Sequence, residues 1–287
     1  MASVSSPQVY RTEAIILRHQ RYGEAGRLVT IFSPNHGKLR ALARGALRPT
    51  SHLAGHLEPL TKVMLLLARA RGFDLITQAE TLESHQAVRS TLWRMSAAFY
   101  AAELVERMSQ DNVESFPIYR LLQRFLVWLE EANEPDVPIR FFELQLLGVS
   151  GYRPELRSCA ECGAPLEPVL NGFSAPAGGC LCPACTLASS DVRPISVNAL
   201  KVLRVLQLGD IELAGRLRLD APLARELDQL MRYYMPHAVD HELRTTGFVD
   251  AVRATRPTGI HAGPMATAPR SVDAQPDGQL PVEAAAP

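Results

Sequence analysis

The sequence has no hydrophobic run long enough to cross a membrane. Although 47% of its 287 residues are hydrophobic, the longest apolar stretches are only residues 63–68 and 97–102. A spanning helix needs roughly 18 or more apolar residues in a row. The length and composition instead suit a soluble chain with a substantial core and two domains. We therefore expect no membrane partner.

Motifs for nucleotide hydrolysis and for common hydrolases are also missing. The chain has no G-x-x-x-x-G-K-[ST] loop, no H-E-x-x-H and no G-x-S-x-G. Its eight histidines follow no metal-ligand spacing. We therefore expect no ATP-driven motor, no catalytic residue and no small-molecule substrate.

The beginning of the chain lacks the apolar core of a signal peptide. Residues 1–8 are small and Ser-rich, and we predict that they form a disordered leader. The polar character continues to Arg11. The expected location is the cytoplasm, where thiols stay reduced.

Cysteine is scarce, and all five cysteines lie within residues 159–185. Cys159 and Cys162 form one C-x-x-C turn, and Cys182 and Cys185 form a second after nineteen residues. This spacing predicts a structural zinc site with one ion per chain, because each turn points two sulfurs at one tetrahedral centre. Disulfides and unligated thiols are the alternatives. We interpret Cys180 as a bystander, although an exchange of ligands stays open.

The net charge is zero, but the charges are unevenly distributed. Residues 1–80 carry eleven Lys or Arg against five Asp or Glu, a net charge of +6. Residues 81–158 and residues 159–250 each carry eight against eleven, a net charge of −3. This pattern predicts a polyanionic partner for the first unit only.

The first unit has the alternating pattern of strands. Five runs separated by turn signals lie at residues 9–18, 27–32, 38–44, 61–69 and 73–82. Five short strands, with the longest connection between the third and fourth, favour a small Greek-key barrel of the OB type at residues 9–82. Another small barrel or a meander is the alternative.

One face of the third strand is basic. Alternation places Leu39, Ala41 and Ala43 in the core and their basic neighbours on the surface. A row of cations on an OB-type barrel suits a phosphate backbone, whereas an ordinary solvated strand face is the alternative. Because Phe32 and Phe73 are expected in the core, few aromatics remain for stacking on bases. The candidate nucleic-acid contacts are Arg18, Arg21, Arg27, Lys38, Arg40, Arg44 and Arg48.

Beyond residue 82 the apolar period becomes helical. The pattern predicts a helical domain at residues 83–158 and 191–250, with the cysteine module inserted at residues 159–190. The first helix is expected at residues 85–109, with Val88, Leu92, Met95, Phe99 and Ala102 inward. Pro236 is expected to kink or end its helix. Residues 251–287, rich in Pro and Ala, are predicted to be a disordered tail.

Several stretches together resemble the RecO family of bacterial recombination mediators. The N-terminal stretches are YGEAGRLVTIFS at residues 22–33, HGKLR at 36–40 and RGALRPTS at 44–51. The later pieces are the two cysteine turns with Gly163, Phe173, Gly178 and Gly179. The resemblance covers roughly residues 9–250. The Pro/Ala tail and Pro236 depart from the family pattern.

The resemblance implies an α+β architecture with an N-terminal OB-fold barrel, a helical domain and a four-cysteine zinc-finger-like insert. It implies binding of single- and double-stranded DNA, strand annealing, and recombinase loading onto strands coated by single-strand-binding protein, with RecR as a partner. The expected location is the cytoplasm, at the nucleoid. The residues that match the family's motifs are Lys38, Arg40, Arg44, Arg48, Cys159, Cys162, Cys182 and Cys185.

Two alternative functions belong to other classes. The first is a zinc-ribbon adaptor for protein interactions that has no direct DNA activity. The second is a zinc-dependent nuclease or deaminase, which is disfavoured because Glu161 supplies only a C-x-E fragment inside the first cysteine turn.

Overall fold

Five strands close into an N-terminal barrel in the computed structural model, which describes residues 8–239 and 243–255. The strands are β1 (Val9–Tyr22), β2 (Gly26–Ser33), β3 (Gly37–Ala43), β4 (Lys62–Ala68) and β5 (Asp74–Glu83). They are hydrogen-bonded in the order β1-β2-β3-β5-β4, and β4 also pairs with β1. This is a five-stranded OB-type barrel, as the sequence predicted.

Side-chain alternation fills the barrel interior. On β3, Leu39, Ala41 and Ala43 are buried in the barrel core, while Lys38 and Arg40 point outward. The outer surface of the barrel is apolar where it faces the helical domain. There, Ile15, Leu17, Phe32 and Leu60 are buried in the core of the helical domain. The barrel therefore packs against the helices through a continuous apolar interface.

Four helices follow the barrel: α1 (Gln86–Arg89), α2 (Leu92–Met108), α3 (Phe116–Glu131) and α4 (Asp136–Val149). The prediction of one helix at residues 85–109 is wrong. Thr91 is extended, and the Ser90 hydroxyl donates to the Ala87 carbonyl at 2.7 Å. Such side-chain bonds compete with helical ones, and the chain divides there into α1 and α2.

The inward face of α2 also differs from the predicted stripe. Leu92 is 59% exposed, whereas Ala97, Ala101, Leu104 and Val105 are fully buried. The helix packs against α3, α4 and β1. Because it has neighbours on several sides, its buried residues do not form the single apolar stripe that periodicity predicted.

The connection between α2 and α3 is joined to the barrel. The Asn112 N–H donates to the Lys38 carbonyl at 2.8 Å, and Asp111 forms a parallel bridge with Lys38. Gly37 has φ +60° and lies so close to Val113 that a Cβ would collide with the Val113 backbone. Glycine is therefore required at this junction.

The cysteine insert contains a small sheet in the order β7-β6-β8 and one short helix. Its elements are β6 (Asn171–Ser174), β7 (Gly179–Leu181), α5 (Pro183–Ala188) and β8 (Arg193–Ile195). Phe173 is fully buried and lies 5.2 Å from the Tyr234 ring, between centroids. The insert is therefore packed on the helical domain, and its sheet extends past residue 190.

The remaining helices are α6 (Val197–Gln207), α7 (Ile211–Gly215), α8 (Ala221–Ala238) and α9 (Thr246–Ala254). Pro236 lies inside α8, which continues to Ala238, so its effect is confined to the last turn. None of the described helices is both long and apolar enough to cross a membrane.

The predicted termini fall mostly outside the described residues. Of the leader, only Gln8 is described, and its carbonyl accepts the Arg69 N–H at 2.9 Å. The tail boundary at residue 251 is wrong, because α9 continues to Ala254. Arg253 forms ion pairs with Asp136 and Asp228, which hold this turn against α4 and α8. Residues 256–287 lie outside the described part of the chain.

Candidate metal centre and nucleic-acid interface

The two cysteine turns converge on one point. The sulfurs of Cys159, Cys162, Cys182 and Cys185 all lie within 4.8 Å of one another. The Cys162 and Cys182 sulfurs are 3.9 Å apart. A tetrahedral ion with metal–sulfur bonds of about 2.3 Å requires sulfurs about 3.8 Å apart. The four thiols could therefore bind a metal ion, and their geometry fits a tetrahedral one.

Backbone donors prepare the most buried ligand for this role. Burial by itself raises the pKa of the Cys159 thiol, but backbone N–H groups, chiefly those of Cys162 and Cys182, lower the pKa to about 6. The Cys182 N–H lies 3.3 Å from the Cys159 sulfur. A thiolate is the form that binds metal, so these donors favour the ligating state.

Local backbone contacts fix the approach to the first turn. The Glu155 carboxylate accepts the N–H groups of Arg157 and Ser158 at 2.7 and 2.9 Å. The Cys180 N–H donates to the Glu155 carbonyl at 2.7 Å. Gly179 passes so close to Glu155 that a Cβ would collide with the backbone there. These contacts join the chain before Cys159 to β7, which leads into the second turn.

Cys180 lies apart from the four-thiol group. Its side chain is fully buried in the helical core, and burial raises the pKa of its thiol to about 12. A thiol that resists ionisation is a poor metal ligand. Its position indicates that Cys180 packs in the core. That it does not bind the metal stays a prediction, which its burial supports.

Three of the predicted nucleic-acid contacts are exposed without a carboxylate partner among the described residues: Arg21, Arg44 and Arg48. Arg21 donates to the Glu24 carbonyl at 3.1 Å. Arg44 follows β3 directly, and the Arg48 N–H donates to the Gly45 carbonyl at 3.0 Å, which closes a tight turn. This turn therefore presents two guanidinium groups to solvent.

Lys38 is engaged at the junction with the helices. Its ammonium group donates to the Glu106 carbonyl at 2.6 Å and lies 3.1 Å from the Asp111 carboxylate. Its side chain is 16% exposed. Arg40 is 49% exposed and shares Asp111 at 3.6 Å. Of the two, Arg40 is the one open to a ligand.

Arg18 and Arg27 also have acidic partners. The Arg18 guanidinium lies 2.8 Å from the Glu106 carboxylate on α2. The Arg27 guanidinium lies 3.0 Å from Glu58, and its side chain is 17% exposed. Both cations are therefore partly neutralised within the protein, and Arg18 connects the barrel to the helices.

Phe73 lies at the surface of the barrel, although the sequence pattern assigned it to the core. Phe32 is indeed fully buried, but Phe73 is half-buried at the surface. Its ring meets the Tyr22 ring edge to face, with centroids 6.0 Å apart. The Arg40 guanidinium lies 5.8 Å from the Phe73 centroid. The loop before β5 carries Phe73 to the outer face, which strand alternation alone does not predict.

A groove lies in the helical domain. It encloses about 160 Å³ between α3, α4 and α7. Aromatic side chains line it, among them Phe125, Trp128 and Phe141, and Arg120 and Arg124 stand beside them. Arg124 is exposed. The groove thus combines an apolar lining with positive charge.

Comparison with known proteins assigns the chain to a family. The family model described as "Recombination protein O N terminal" matches residues 8–85, and the one described as "Recombination protein O C terminal" matches residues 89–246. The chain belongs to the RecO family. The first RecO match contains the basic barrel face, and the second contains the four clustered cysteines.

Relatives named DNA repair protein RecO align along most of the chain. The protein from Roseiflexus sp. (strain RS-1) is 41% identical over 263 residues, which cover 92% of this chain and 93% of that protein. The protein from Desulforudis audaxviator (strain MP104C) is 36% identical over 241 residues, covering 84% and 96%. That from Dehalococcoides mccartyi (strain BAV1) is 33% identical over 250 residues, covering 87% and 98%.

Proposed function

We propose that this RecO-family chain is a DNA-binding mediator of recombinational repair. It binds single- and double-stranded DNA, anneals complementary strands, and with RecR assists recombinase loading onto strands coated by single-strand-binding protein. The observation that supports this most is the pair of exposed guanidinium groups at Arg44 and Arg48, beside Arg40, on an OB-type barrel. It acts in the cytoplasm at the nucleoid, without catalysis.

The mechanism is electrostatic. A DNA backbone lies along the outer face of β3 and the turn after it, where Arg40, Arg44 and Arg48 neutralise phosphates. Lowering the charge on two strands held together reduces their repulsion, so complementary bases can pair. No nucleotide hydrolysis is needed for this step.

We propose that the ion in the four-cysteine site is zinc, held by Cys159, Cys162, Cys182 and Cys185. Four thiolates suit zinc, and a four-coordinate site leaves no position for water or substrate. The ion supplies a structural crosslink. The chain's own contribution is to hold the two turns together on the helical domain through β6 and β7.

We assign the acidic tail of single-strand-binding protein to the groove between α3, α4 and α7. The apolar lining accepts hydrophobic side chains, and Arg120 and Arg124 attract carboxylates. Replacing Arg124 with Glu is expected to weaken binding of a peptide with that tail's sequence about tenfold, as measured by fluorescence anisotropy. Arg225→Glu is the matched control, because Arg225 is also exposed and lies on α8, which contributes no lining residue to the groove. Equal binding by both variants would place the tail elsewhere.

The alternative function is a zinc-ribbon adaptor that positions partners and has no direct DNA activity. The acidic charge of the helical segments favours protein contacts there, and we assign RecR to those helices and the insert. Salt dependence distinguishes the two functions. A mediator that contacts phosphates should bind DNA with an affinity that falls steeply with salt, whereas the adaptor should not.

Reversing the charge of the turn after β3 is the direct test of DNA binding. In Arg44→Glu/Arg48→Glu, single-strand affinity is expected to fall at least about tenfold at moderate salt. The slope of log affinity against log salt should become shallower by about 1.4 units, since each single-strand phosphate contact contributes about 0.7. Annealing should fall in parallel. The fold should persist, because both side chains are exposed and make no ion pair among the described residues.

The matched control is Arg216→Glu/Arg225→Glu, which makes the same charge change on exposed positions of the helical part. It should bind DNA nearly as the wild type does. The barrel variant should also still co-sediment with RecR. Unchanged DNA affinity and slope in the folded barrel variant would refute the proposed interface, and loss of RecR binding would refute the placement of RecR.

A further inference from the structure

Two aromatic rings form a small cluster on the outer face of the barrel. Tyr22 is at the end of β1 and is 46% exposed, and Phe73 lies just before β5. The rings meet at an interplanar angle of 86°. The Tyr22 hydroxyl donates no hydrogen bond to any described residue. The cluster therefore leaves aromatic surface in contact with solvent.

Cations flank this cluster. Arg40 places its guanidinium over the Phe73 ring. Tyr22 pairs with Gly26 across β1 and β2, and Arg27 pairs with Ala43 across β2 and β3. The register therefore brings Arg44, the next residue, to the level of Gly26 and Tyr22.

Tyr22 at the end of β1 and Arg44 directly after β3 lie on either side of Gly26. Two strand spacings, about 9.6 Å, separate β1 from β3. Gly26 lies between them and has no side chain. The Leu47 N–H donates to the Ala25 carbonyl at 3.0 Å, which holds the turn after β3 against the start of β2. An exposed ring, a glycine and an exposed arginine thus follow one another across the sheet.

We propose that Tyr22 and Phe73, with Arg40 and Arg44 beside them, form a stacking site for an unpaired nucleobase of single-stranded DNA. This rests on the proposed DNA-binding function and adds a preference for single strands. Aromatic rings stack on any base, because every base has a π face. In a duplex those faces are covered by neighbouring pairs. The flanking guanidinium groups match the phosphates on either side of the stacked base.

Truncating the exposed ring tests the proposal. Tyr22→Ala is expected to lower affinity for a 30-nucleotide poly-dT strand by roughly five- to a hundredfold. Affinity for a 30-base-pair duplex should stay within about twofold, and the salt slope for poly-dT should not change, because no phosphate contact is lost. Tyr22→Phe should bind as the wild type does. Tyr152→Ala is the control for loss of an exposed tyrosine, since Tyr152 is 50% exposed on the helical part.

A 30-mer without bases distinguishes base stacking by Tyr22 from a purely structural role of its ring. Wild type and Tyr22→Ala should bind this backbone equally. Phe73→Leu keeps apolar volume in the cluster but removes a π face, so it gives the same selective loss even where Tyr22→Ala fails to fold. Equal losses on all three nucleic acids, or no loss on poly-dT, would overturn the stacking site and leave the backbone interface in place. A wild type that binds no DNA would overturn the proposed function and the stacking site together.

Discussion

Replacing Cys159 with Ser is expected to empty the four-cysteine site and destabilise the protein. Cys159 is the buried ligand, at 2% exposure, and its sulfur is the one that backbone N–H groups surround. The insert packs Phe173 into the helical core, so its unfolding should be felt beyond the insert. We expect bound zinc, measured by elemental analysis, to fall from about one ion per chain to near zero. The free energy of unfolding should fall by more than about 4 kcal/mol, as is typical when a structural metal is lost.

The matched control for this substitution is Cys180→Ala. Cys180 is equally buried but outside the ligand group, so the variant should keep its zinc and lose only packing. A loss of about 1 kcal/mol is expected from the removed sulfur atom. Full zinc content in Cys159→Ser, or loss of zinc in Cys180→Ala, would show that the ligand set is wrong.

The second large effect is expected at a buried ion cluster on α4. Arg140 is 4% exposed and lies 3.1 Å from the Glu143 carboxylate and 3.3 Å from Asp228 on α8. Asp228 also binds Arg253 on α9, so the cluster joins three helices. Replacing Arg140 with Met keeps an unbranched side chain but leaves the buried Glu143 carboxylate without its arginine, whereas Asp228 keeps Arg232 and Arg253. We expect the free energy of unfolding to fall by about 3–5 kcal/mol in chemical denaturation.

This loss should depend on pH. Burial raises the pKa of Glu143 in the folded protein, against the opposing charge of Arg140. Without Arg140 that pKa rises further above its unfolded value of about 4.3. Between the two values the folded variant holds a proton that the unfolded chain releases, so its stability rises as the pH falls. The deficit relative to wild type should therefore be smaller at about pH 5 than at about pH 8.

In the wild type, the pKa of Asp228 is shifted in the opposite direction from that of Glu143. Burial raises its pKa, but Arg140 and Arg253 oppose this and hold the pKa below its usual value. Its contribution to stability is present above its unfolded pKa of about 3.9 and is lost as the pH falls through the lower folded value. Above about pH 5 Asp228 is therefore ionised in both the folded and the unfolded wild type and adds no pH dependence there.

An exposed arginine provides the control for the cluster. Arg225 on α8 is exposed and, within the described part of the chain, donates only to the Ala221 carbonyl, at 3.2 Å. Arg225→Met should change the free energy of unfolding by less than about 0.5 kcal/mol at either pH. If Arg140→Met matched this control, the cluster would contribute no net stability. A deficit that grew at low pH would contradict the assigned role of Glu143.

Local sequence patterns were sufficient to predict the barrel and the clustering of the four cysteines. Alternation along β3 assigns Leu39 and Ala41 to the interior, because successive side chains on a strand point to opposite faces. The C-x-x-C spacing likewise predicts that Cys159 and Cys162 share one centre, since a tight turn confines both sulfurs. These features depend on residues only a few positions apart.

Helix boundaries were less predictable from periodicity. The apolar period continues across Ser90 and Thr91, but a side-chain hydrogen bond and an extended Thr91 separate α1 from α2 there. The last helix reaches Ala254 because Arg253 pairs with Asp136, 117 residues earlier in the chain. Composition predicted a disordered tail from residue 251, because ion pairs with distant residues leave no signal in the local sequence.

The availability of each cation on the basic face depends on residues that only the fold brings near. Lys38 meets Asp111, and Arg18 meets Glu106, 88 positions away in sequence. Arg44 has no such partner among the described residues. Periodicity places all three outside the barrel core, but it carries no information about which acidic side chain a distant helix delivers. The spacing of the cysteines alone predicted that the four of them lie together. The exposure of Phe73 beside Tyr22 and Arg40, and the groove between α3, α4 and α7, arise instead from long-range packing.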